Sequence, residues 1–128
     1  REQHYGDWEG RSYEEVQAGT PELYARLMSG DLRFAPPGGE SIADLLNRTR
    51  QVEALLRPMA EDHAADTMVV AHAGSIRALA VTLLKLPRST FWRLKVSPAS
   101  LSVISLYADG ATVDLWNDTC HLEAAGER

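Results

Sequence analysis

The stretch Met68-Val69-Val70-Ala71 runs directly into His72-Ala73-Gly74-Ser75-Ile76-Arg77. No other part of the chain constrains the fold as strongly. Thr67 to Ala71 is a short, nearly unbroken apolar run, the pattern of a strand covered on both faces. His72-Ala73-Gly74 then forms a tight turn, and Ser75 to Leu86 reads as a mostly apolar helix stopped by Pro87. A buried strand feeding a helix points to a layered α/β fold.

The remaining segments agree with that class. Ser12, with Glu15 three residues on, predicts a capping box at a short helix, and Thr20-Pro21-Glu22 opens another that ends near Gly30. Leu32 to Gly39 reads as a loop because Pro36 and Pro37 break any regular element. Ser41 caps the longest helix, in which Ile42, Leu45, Leu46, Val52, Leu55, Leu56 and Met59 share one face, Arg48, Arg50 and Glu53 lie elsewhere, and Pro58 kinks or ends it. Leu101 to Tyr107 and Ala111 to Trp116 form a hairpin through Asp109-Gly110.

With 128 residues, a single domain is expected. The balance of 13 basic against 18 acidic side chains, net −5, argues against nucleic acid or an anionic membrane as partner. No apolar run approaches the roughly 20 residues that span a bilayer, so a cytoplasmic location is expected. One cysteine, Cys120, excludes an internal disulfide, and His4, His63 and His121 fit no metal spacing, so no metal or cofactor is expected. A homo-oligomer remains open. The chain begins at Arg1 and enters dense sequence at once, as a fragment would.

Chemistry concentrates at two places. His72 stands where the strand gives way to the helix, the crevice in which open α/β sheets bind ligands. The helix N-terminus favours anions, so a phosphate oxygen could be held by the His72 imidazole and the N–H groups of Gly74 and Ser75. The stretch alone is equally compatible with a His72 that only closes the strand end. Glu2 lies in Glu2-x-x-Tyr5-Gly6-x-Trp8-Glu9-Gly10, where Tyr5 and Trp8 pack the loop onto the core and Gly6 and Gly10 permit its turns. A carboxyl partly desolvated by such packing has the raised pKa that a general acid requires. Glu9 suits a capping role, Gly38-Gly39-Glu40-Ser41 a loop and N-cap with a lining role as the lesser reading, Arg77 a salt bridge, and His63 a structural place at a helix end. Asn117 to Leu122 anchors the chain end. Signatures of NTPases, dinucleotide enzymes and hydrolase elbows are absent.

Four segments, Glu2 to Gly10, Pro37 to Ser41, Val69 to Arg77 and Asn117 to Leu122, occur in the order of the histidine phosphatase superfamily. The chain resembles its phosphoglycerate mutase-like branch over nearly its whole length, with α-ribazole phosphatase and broad-specificity phosphatases as the nearest pattern. The resemblance implies a three-layer α/β/α fold and hydrolysis of a small, α-ribazole phosphate-like phosphomonoester through a phosphohistidine. By position, His72 corresponds to the second, phosphate-binding histidine and Glu2 to the proton donor, with the backbone around Gly74 assisting.

Two departures stand out. Ala73 replaces the usual glycine after this histidine, and Arg-His-Gly, the family's nucleophile motif, is nowhere in the chain. The resemblance therefore implies residues 1–128 as the C-terminal portion of one phosphatase domain, lacking its first strands. Such a piece is expected to be inactive alone, poorly stable as a monomer, and exposed at the edges and faces of the divided sheet. A mutase on the same scaffold and a non-catalytic anion-binding domain are the alternatives; the short loop between Gly30 and Ser41 favours the phosphatase.

Overall fold

Ser12 and Ser41 start their helices as their side chains dictate. In the computed structural model, which describes residues 1–61 and 66–124, Ser12 Oγ accepts from the Glu15 N–H and the Glu15 carboxylate accepts from the Ser12 N–H, opening α1 (Tyr13–Gly19). After Thr20, α2 (Pro21–Met28) begins on its proline. Ser41 Oγ accepts from the Asp44 N–H at 3.1 Å while the Asp44 carboxylate accepts from both Ser41 N–H and Oγ–H. That box opens α3 (Ile42–Glu61), which continues through Pro58 instead of ending there. Pro58 lies on the exposed flank, where water can satisfy the carbonyl that a proline cannot bond.

The apolar face of α3 is buried only in its first half. Ile42, Leu45 and Leu46 pack with Ala78 and Val81 of α4 (Ala73–Leu83) and with Phe91, which a 3-10 segment at Arg88–Arg93 carries into the same cluster. Each such large side chain contributes about 1.5–3 kcal/mol relative to exposure. Leu55 and Met59, expected on the same buried face, are 69% and 53% exposed. A second cluster joins Trp8, Val16 and Phe34, with Tyr5 packed against it. This is the expected anchoring of the first loop. Gly6 turns that loop at φ +57°, and any Cβ there would collide with the Pro37 carbonyl and the Gly38-Gly39 backbone.

The hairpin forms as the Asp109-Gly110 turn predicts. β1 (Leu101–Leu106) pairs antiparallel with β2 (Ala111–Asp118), Leu106 opposite Ala111 and Ile104 opposite Val113. A short helix, α5 (Cys120–Ala124), follows. Asn117, at φ +55°, accepts from the Ser97 N–H through Oδ1 and donates its own N–H to Ser102 Oγ, the anchoring expected of this end.

The strand expected at 67–71 is absent from the sheet. Among the described residues the only sheet is β1–β2, and Met68 and Val70 are 85% and 89% exposed. A strand covered on both faces requires a hydrogen-bonded neighbour and flanking layers, and no described segment supplies either. The architecture is thus mixed helix and sheet, with two strands among the described residues, an incomplete form of the three-layer arrangement. His63 lies outside the described residues. Among those described, no helix is long and apolar enough to cross a membrane.

Candidate active site

Both sequence-predicted residues are placed at the start of α4. His72 is its N-cap residue in an extended conformation, and its side chain is exposed. Ser75 Oγ secures this turn by donating to His72 O at 3.0 Å and accepting from the His72 N–H at 3.2 Å. The imidazole is therefore not buried among hydrocarbon.

Glu2, 72 positions from Gly74 in the chain, reaches the same helix end. Its Oε2 accepts from the Gly74 N–H at 2.8 Å and its Oε1 from the Ser75 N–H at 3.0 Å, with the Gln3 N–H adding a third bond at 2.8 Å. The N-terminus of α4 therefore holds an acidic side chain of this chain itself, on amides whose dipole favours such a group. The amides expected to bind phosphate are bonded to Glu2. Gly74 permits that approach, since a Cβ there would stand 3.0 Å from Glu2 Cδ and closer still to Oε1.

A second network holds the Glu2 backbone from the other side. Arg48 donates to both carboxylate oxygens of Glu40, at 2.7 and 3.0 Å, and from Nη2 to the Glu2 carbonyl at 2.9 Å. Glu40 Oε1 also accepts from the His4 N–H, the Glu40 N–H donates to His4 O, and the buried Gln3 side chain donates to Glu40 O. Partial burial pushes the Glu40 carboxyl up, but the Arg48 guanidinium and the His4 N–H outweigh it and hold the group below the usual carboxylate range. Tyr5, beyond this loop, is pushed up to about 12 by burial, then by the neighbouring Tyr13 and Glu2.

Several expectations require correction. Arg48, placed away from the apolar face, turns inward; positions 41, 45 and 48 recur at helical spacing, and that was the available signal. Gln3 carried none beyond its proximity to Glu2. Glu9 does not cap α1 but accepts from the Tyr5 N–H at 2.8 Å, tightening the first loop. Arg77 donates to the Leu94 carbonyl at 2.7 Å, not to a carboxylate. Among the described residues no three His, Cys, Asp or Glu side chains are grouped as a metal site would need.

Comparison with known proteins extends this geometry. The profile of the histidine phosphatase superfamily (branch 1) matches residues 1–119. Phosphoserine phosphatase 1 of Hydrogenobacter thermophilus is 34% identical over 119 residues, which are 92% of this chain and 55% of that protein. The structure of a mycobacterial glucosyl-3-phosphoglycerate phosphatase with inorganic phosphate superimposes with TM-score 0.74 at 34% identity, covering 93% of this chain and 62% of that one. The α-ribazole phosphatase of Shigella flexneri, at 23% identity and TM-score 0.78, covers 91% of this chain and 56% of its own and shows the shared fold. The chain spans from about a third to just over half the length of the curated relatives it matches.

Proposed function

Because the chain belongs to the histidine phosphatase superfamily (branch 1), we propose that it supplies the acid–base and second-histidine part of a phosphomonoesterase acting on a small phosphorylated metabolite. The observation that carries this reading is that the Glu2 carboxylate bonds the Gly74 and Ser75 amides at the N-terminus of α4, the helix whose N-cap residue is His72. The nucleophile is not among these 128 residues, which contain no Arg-His-Gly, and is assigned to sequence outside them.

The proposed sequence of steps balances. A histidine nitrogen attacks phosphorus as the ester P–O bond breaks, and Glu2 gives its proton to the leaving oxygen. Water then attacks the phosphohistidine, the P–N bond breaks, and the Glu2 carboxylate takes the proton that water releases. His72 holds a non-bridging oxygen throughout, where phosphoryl transfer needs charge stabilisation more than covalent assistance. The amides of Gly74 and Ser75 bind a phosphoryl oxygen only as Glu2 releases one of them, so substrate and carboxylate share one anion-binding terminus. That the similar proteins above carry phosphatase names supports hydrolysis over the mutase reaction.

The test uses the natural protein that contains this chain. Replacing Glu2 with Gln should lower turnover of alkyl phosphates by about 10²–10⁴-fold while sparing nitrophenyl phosphate, whose leaving group needs little protonation. His72→Ala should weaken vanadate binding. Equal losses for both esters would remove the acid role from Glu2. Residues 1–128 alone should release no phosphate from an aryl phosphate; robust turnover would show that the nucleophile has been misplaced.

A further inference from the structure

Glu2 is held at both ends, by one set of partners at its carboxylate and by another at its backbone carbonyl. Gln3, Gly74 and Ser75 bind the side chain, whereas the Arg48 guanidinium binds the Glu2 carbonyl and is itself fixed by two bonds to Glu40. Glu40 is in turn locked to His4 by a reciprocal pair of bonds. The side chains of this ion pair are only 34% and 19% exposed, so neither swings freely. A three-acceptor contact of this kind suits the planar fork of arginine, which a lysine ammonium cannot reproduce.

We propose that Arg48, set by Glu40, is a positioning residue for Glu2: it fixes the backbone from which the carboxylate reaches the start of α4. Arg48 lies one step behind the group that would exchange the proton. The functional consequence rests on the acid role proposed above, but the placement of the carboxylate does not. Losing the fork lets residues 2–4 slide relative to α3, and a displacement of about 1 Å at a reacting group costs on the order of 10²-fold.

The experiment compares Arg48→Lys, Arg48→Met and Glu40→Gln with Glu2→Gln in the natural protein. Amide resonances of Gly74 and Ser75 report the carboxylate directly, and phosphate release from an alkyl and a nitrophenyl ester reports its use. The Arg48 variants should shift both amides in the direction that Glu2→Gln shifts them. They should also lower kcat for the alkyl ester by about 10–100-fold, with vanadate affinity and nitrophenyl turnover changed less than about twofold. Arg48→Lys should recover folding stability relative to Arg48→Met without recovering the alkyl-ester rate. Should Arg48→Met fail to fold, Arg48→Lys and Glu40→Gln decide the matter. Unmoved Gly74 and Ser75 amides in these variants would overturn the proposal, leaving the pair a loop staple. A flat leaving-group response in Glu2→Gln would instead remove the acid role, while the amides still decide whether Arg48 places the carboxylate.

Discussion

Gly74 has no side chain, and a Cβ added there would strike the Glu2 carboxylate. Gly74→Ala should therefore push the carboxylate off the helix end and reproduce the ester selectivity of Glu2→Gln, measured as the alkyl-to-nitrophenyl rate ratio. Gly19→Ala is the control: nothing lies within 4 Å of its added Cβ, and stability should stay level or rise by up to about 1 kcal/mol. Glu40 makes a pH prediction at the same scale. Its folded pKa lies below the ordinary value of 4.5, so its contribution is complete above that value. The contribution disappears as pH falls from there through the lower folded value. Acid titration of the natural protein should show stability falling over that window, and Glu40→Gln should flatten the fall. Neither residue's partner could be read from the sequence. Glu2 and Gly74 were each singled out, yet nothing local says that the carboxylate would take the amides first expected to hold phosphate.

At the scale of elements, local chemistry was read well. The Ser12 box, the Ser41 cap, the proline start of α2 and the Asp109-Gly110 hairpin all use partners within a few residues, so the sequence contains both halves of each interaction. What joins the hairpin to the helices was not legible. Arg57 of α3 donates to the carbonyls of Tyr107 and Gly110 at the hairpin tip and to Leu83 at the end of α4, while Glu53 pairs with it one turn away. Arg57→Met leaves those carbonyls without their charged donor and should cost about 1–3 kcal/mol. Denaturant unfolding measures the loss, and faster hydrogen exchange at the Tyr107 N–H, which is bonded to Gly110 O, would place it at the hairpin. The alkyl-to-nitrophenyl ratio should not move.

At the scale of the molecule, the expected strand marks where prediction from pattern stopped. The run 67–71 is apolar on both sides, but its side chains meet solvent and it joins no sheet among the described residues. Leu101, Val103 and Val113 of the hairpin are also 43–49% exposed. Surface of this kind associates. Residues 1–128 in isolation should self-associate with rising concentration, seen by sedimentation, and Met68→Lys with Val70→Lys should reduce that association. Unchanged sedimentation in the double variant would locate the contact elsewhere.

The sequence by itself determined where helices start and where the chain turns back as a hairpin. Those depend on neighbours along the chain. Only the tertiary structure decided that Glu2 occupies the amides of Gly74 and Ser75, that Arg48 turns inward to hold it, and that the 67–71 run joins no sheet among the described residues. Each of these depends on a contact between residues tens of positions apart, or on the lack of one, and hydrogen bonds and burial at that range exist only once the path of the folded chain is set.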